Sequence, residues 1–182
     1  SLALWGTHVK NGLDPLHTAR LPLYYWAREE MAKRGEVTAT QRDTGASLYD
    51  ITEVLRKIGY LDEKEAPYSD DPHSYKKKPS AALKEKAHSH TVLDEMGVAW
   101  VGPDVLAAKA TLAQRLPVVF GMTIHQSFMN VGKEGIVPTP RLYARSKGGH
   151  AMALVGYDDT EGVFTLQNSW GPYWGNKGRA KI

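Results

Sequence analysis

The sequence predicts an α+β chain of two lobes, mainly helical to about residue 115 and β-rich from about 116 to 182. Three observations predict it. Apolar residues recur at helical spacing through the first half. β-branched and apolar runs take over at Pro117. Two such runs late in the chain flank a short polar turn, which is a hairpin signal.

From Leu21 to Arg34, the residues Leu23, Trp26, Ala27 and Met31 fall close to one helical face, and Gly35 follows as a stop. Leu48, Ile51, Val54, Leu55 and Ile58 make a second stripe, closed by Gly59, with Asp43 or Thr44 upstream as the expected cap. Pro67 to Pro79 reads as a polar surface loop. Pro79 to Ala87 and Pro103 to Arg115 read as short helices. Pro117 to Ile124 is expected as a buried strand, and Asn130 to Lys147 as a long loop. Ala151 to Tyr157 and Gly162 to Gln167 are the expected hairpin strands around Asp158-Asp159-Thr160-Glu161.

Composition narrows the function. The 42% hydrophobic content suits a globular chain, and the net charge of +3 is too scattered for a nucleic-acid surface. Lys76-Lys77-Lys78 is the one basic run and reads as a solvated loop. No stretch approaches the roughly 18 apolar residues that span a bilayer, and no signal peptide is visible. Zero cysteines excludes disulfides and thiolate metal sites. His88-Ser89-His90 lacks a third ligand nearby in sequence, so neither metal nor cofactor is expected. The ends read as cut, which makes the chain a fragment of a longer one and leaves localisation unassigned.

Chemistry concentrates in Gly148-Gly149-His150-Ala151 through Val155-Gly156-Tyr157, and in Gln167-Asn168-Ser169-Trp170-Gly171 with Trp174-Gly175. His150 opens one hairpin strand and Asn168 closes the other, so a tight hairpin brings them side by side. An amide oxygen beside an imidazole accepts its N–H and fixes its tautomer. Trp170 is placed to cover that bond and keep water from competing for it.

These residues resemble the His–Asn half of papain-like cysteine peptidases. Arg20-Leu21-Pro22-Leu23-Tyr24-Tyr25-Trp26-Ala27-Arg28, Asp43-Thr44-Gly45-Ala46-Ser47-Leu48, Ala66-Pro67-Tyr68 and Pro117-Val118-Val119-Phe120-Gly121-Met122 resemble motifs of the family's bacterial and viral branch. The resemblance runs from about Ala19 to Ile182. It implies a papain-like two-lobed fold over residues 1–182, with a cleft between the lobes that takes a peptide or protein. It implies His150 and Asn168 as catalytic positions, with Gly149, Trp170 and Trp174 supporting the cleft.

The resemblance also implies a thiolate nucleophile at a helix N-terminus, which this chain lacks. It implies a glutamine just upstream as an oxyanion donor, a position that falls before the chain begins if the nucleophile stands at Ser1. Three placements of the nucleophile stay open. Ser1-Leu2-Ala3-Leu4 stands in for the family's Cys-X-Ala-X step, or His8 replaces the cysteine in Gly6-Thr7-His8-Val9-Lys10-Asn11, or the residue lies upstream. The letters favour His8. The geometry favours Ser1, because a helix from Leu2 to Asn11 puts Ser1 at its positive end and His8 about 10 Å along. The expected function is a peptidase domain inactive in this form. The alternative is a non-catalytic binding or structural module of a larger secreted or virion protein, with other domains of that protein as partners.

Overall fold

The computed structural model describes residues 17–90 and 100–182. Ser1 and His8, and with them the placement of the nucleophile, lie outside the described residues. The described residues fall into two compact units, residues 17–90 with Trp100, and residues 101–182.

The first unit is built on α1 (Arg20–Lys33), α2 (Leu48–Lys57) and α3 (Ala81–His88), with a single 3₁₀ turn at Ser74–Lys76. Pro22 sits in the first turn of α1, where its missing N–H has no intrahelical acceptor to lose. The α2 cap is Ser47 and not the expected Asp43 or Thr44. Its Oγ accepts from Asp50 N at 3.1 Å and donates to Asp50 Oδ2 at 2.5 Å, closing the first turn from both sides. Asp43 instead accepts from the Tyr24 hydroxyl. Gly59 ends α2 at φ +95, and a Cβ there would lie 2.0 Å from the Ala87 carbonyl oxygen, so only glycine fits under α3.

The core of this unit joins Leu23, Trp26 and Ala27 of α1 to Val54 of α2 and Ala87 of α3. Arg28 lies within it at 0% exposure. Its guanidinium donates to the carbonyls of Ala39 at 3.1 Å and Arg42 at 3.0 Å, and also to that of Tyr75. The rings of Tyr24 and Tyr75 lie 4.1 and 5.1 Å from its carbon. A cation is held there by carbonyl dipoles and π faces, which lets α1 gather the 39–42 segment and the 3₁₀ turn around itself.

The second unit is a four-stranded antiparallel sheet in the order β1-β2-β3-β4, made of β1 (Val118–His125), β2 (Ser146–Asp158), β3 (Val163–Gln167) and β4 (Arg179–Lys181). The helix α4 (Val105–Ala113), capped by Asp104 through the Leu106 and Ala107 amides, packs on this sheet through Ala108. Sequence order alone assigns α4 to the helical half that runs to about residue 115, yet its packing is with the strands. The expected buried strand is an edge strand. Among the described residues β1 pairs only with β2, and its residues alternate in exposure, with Val119 46% exposed. A short helix, α5 (Gln126–Met129), follows β1 and carries Phe128 into the core with Ile124, Met152, Leu166 and Trp174.

Candidate functional site

The hairpin of β2 and β3 sets the site. His150, Met152 and Leu154 share one face of β2 by the two-residue period of a strand. Ala153 pairs with Gln167, so the residue beyond, Asn168, continues opposite Met152 and becomes the diagonal neighbour of His150. Local pairing alone therefore brings together two side chains eighteen residues apart in sequence.

His150 Nε2 lies 2.8 Å from Asn168 Oδ1. The Ser169 backbone N–H, a donor only, also reaches that atom at 2.7 Å, which identifies it as the amide oxygen. An oxygen accepting there requires the proton on His150 Nε2. The neutral ring then carries its lone pair on Nδ1, where it can take a proton from a nucleophile. Asn168 is 5% exposed, and its amide nitrogen is buried with no partner among the described residues.

Aromatic rings enclose the pair. Trp170 stacks on His150 with centroids 4.7 Å apart and planes 25° from parallel. Trp174 meets Trp170 edge-on at 5.7 Å, and its indole N–H donates to the Phe128 carbonyl at 3.0 Å. The Phe128 ring lies 6.2 Å from His150, 5.6 Å from Trp170 and 4.9 Å from Trp174. Phe128 is thus the hub of the cluster, and sequence reasoning missed it. No motif marks it; its only signal is an aromatic residue just after β1. Gly175 lets the loop after Trp174 close, since a Cβ there would meet the Arg179 carbonyl oxygen at 2.4 Å. Gly149 borders His150 in β2 and has open space where a side chain would begin. Four of the expected residues, His150, Asn168, Trp170 and Trp174, thus converge with Phe128, and Ser1 is outside the described residues.

A histidine whose tautomer is set by an asparagine, under a tryptophan, has the chemistry to act as a general base toward a nucleophile. The family model of the papain family cysteine proteases matches residues 40–182, and the chain belongs to that family. It is 30% identical over 178 residues to an uncharacterized peptidase C1-like protein, L477, of Acanthamoeba polyphaga mimivirus, covering 94% of this chain and 54% of that one. It is 36% identical over 84 residues to the cathepsin B-like CP3 of Giardia intestinalis, covering 44% of this chain and 27% of that one. Among solved structures, xylellain, a cysteine protease from Xylella fastidiosa, superposes with a TM-score of 0.84 at 30% identity, covering 99% of this chain and 69% of that one. The chain spans about half the length of the mimivirus relative.

Proposed function

We propose that this chain is a papain-type peptidase domain of the bacterial and viral branch that keeps the histidine and asparagine of its site, lacks the nucleophile, and hydrolyses no peptide bond in this form. One observation carries the proposal: the His150–Asn168 contact of 2.8 Å stands in a chain with no cysteine. The family's chemistry requires a thiolate, and a serine hydroxyl is far less acidic than a thiol. The similarity to the mimivirus protein and to xylellain over nearly the whole chain supports the branch assignment. In this reading residues 1–182 are one papain-like domain of a longer protein, and a peptide or protein segment binds beside His150. Ser1 takes the nucleophile position.

The second reading is a non-catalytic binding or structural module of a larger secreted or virion protein. The observation favouring it is that neither the nucleophile nor any other thiol is present. Two variants separate the readings. Ser1→Cys, in a chain carrying its natural upstream residues, is expected to react with a thiol-directed epoxide near neutral pH, and to lose that reactivity with His150→Ala. His8→Cys is expected to stay inert. A reactive His8→Cys moves the nucleophile position there. Inert thiols at both positions, with an upstream thiol of the parent chain that reacts and loses its reactivity in His150→Ala, move the nucleophile upstream; a chain inert throughout favours the module.

A further inference from the structure

We propose that Gln167, held in place by Arg179, is the positioning residue of the His150–Asn168 pair. The proposal rests on the reading of that pair as the retained half of a peptidase site. Its test reads the geometry of the pair and not its activity, so the two fail separately.

Asn168 lies one residue beyond the end of β3, where ladder pairing no longer fixes the backbone. Its amide still donates to the Gly178 carbonyl at 2.9 Å. The carbonyl end is held by the Gln167 side chain, whose Nε2 donates to Asn168 O at 3.0 Å and to Gly178 O at 3.1 Å. One amide group therefore ties both flanks of Asn168 to the loop that carries Trp174. The other end of the Gln167 amide is anchored by the Arg179 Nε–H, which donates to its oxygen at 2.9 Å. Gln167 and Arg179 are directly paired across β3 and β4, so the contact follows from register. Arg179 donates only, which turns the Gln167 oxygen toward itself and the NH₂ toward the two carbonyls. With its main chain fixed on both sides, Asn168 can hold its oxygen on His150 Nε2 without sampling other orientations.

Three variants in the full chain test this, read by nitrogen NMR of the His150 ring and by hydrogen exchange of its Nε2–H. Gln167→Glu keeps the pairing with Arg179 and removes both donors. It is expected to mix the His150 tautomers and to speed exchange of Nε2–H about tenfold. Gln167→Ala is expected to do the same. Arg179→Ala, on an exposed side chain, is expected to give a smaller change in the same direction, because Gln167 keeps both acceptors. Thermal unfolding is followed in parallel. If Gln167→Glu and Gln167→Ala lower stability while the His150 tautomer and exchange stay as in the parent chain, Gln167 only braces the sheet and the proposal is overturned. An unchanged His150 signal in a fully stable Gln167→Glu chain overturns it as well.

Discussion

Trp170 lies nearly parallel to His150 at 4.7 Å while remaining 38% exposed, so its indole shields the imidazole and still meets solvent. A hydrogen bond shielded from water is stronger than the same bond wetted. Trp170→Ala is therefore expected to leave the fold intact, at a cost of about 1–2 kcal/mol. It is expected to speed exchange of the His150 ring N–H about tenfold. Phe128→Ala, which removes a ring 2% exposed, is expected to cost about 3–5 kcal/mol. Urea unfolding measures both costs, and equal costs would contradict the role given to Phe128 as hub.

Arg28 is a buried cation whose hydrogen bonds reach carbonyls in two separate segments, residues 39–42 and the 3₁₀ turn. Arg28→Met keeps much of the volume and strips the donors, leaving buried carbonyls unpaired. The expected loss is about 3 kcal/mol, with protection lost first at residues 39–42 and around Tyr75 in amide hydrogen exchange. A loss below about 0.5 kcal/mol would mean those carbonyls find water at no cost.

Acid stability is expected to fall below about pH 4 through two carboxylates of α2. Burial by itself raises Asp50, but hydrogen bonds from Arg34 and Ser47 outweigh it and leave the carboxyl below its ordinary value. Glu53 is lowered to about 2 by its hydrogen bonds to Arg56 and then Lys57. A depressed folded-state pKa stabilises above the unfolded value and loses that stabilisation as pH falls through the folded one. The window for Glu53 is therefore about pH 4 down to about 2. Unfolding free energy measured from pH 5 to 2 should fall. Asp50→Asn should flatten the slope and cost about 2 kcal/mol at neutral pH. An unchanged slope in both Asp50→Asn and Glu53→Gln would refute the assignment.

At high pH the sign reverses through Tyr24. Burial, and then the hydrogen bond to Asp43, raise its phenol to about 12. A raised folded-state pKa stabilises below the unfolded value of about 10 and loses that as pH climbs toward the folded one. Phenolate absorbance is expected to show Tyr24 titrating late, together with Tyr60, whose phenol burial also raises. Tyr24→Phe should shrink that late component and flatten stability between about pH 10 and 12.

The hairpin and its pair were legible because they are local: a two-residue period and a short turn carry His150 to Asn168 without any long-range information. The helices of the first unit were legible from apolar spacing and from Gly35 and Gly59. The α2 cap was not, because Asp43, Thr44 and Ser47 are all good capping residues and only packing chooses Ser47. The edge position of β1 was hidden too, since Val118, Val119 and Phe120 read as a continuous apolar run whatever lies beside them. Phe128, Gln167 and Arg179 act through contacts between elements, which spacing does not encode. Gln167 sits within the quoted motif, yet its role comes from the strand that returns eleven residues after Asn168.

The measurement closest to the central claim is hydrolysis of peptide and protein substrates by the purified chain, beside a His150→Ala chain. No cleavage distinguishing the two is expected, at any pH from 5 to 8, because the retained base has no thiol to activate. Cleavage by the parent chain that disappears in His150→Ala would contradict the account, since it would require a working nucleophile other than cysteine.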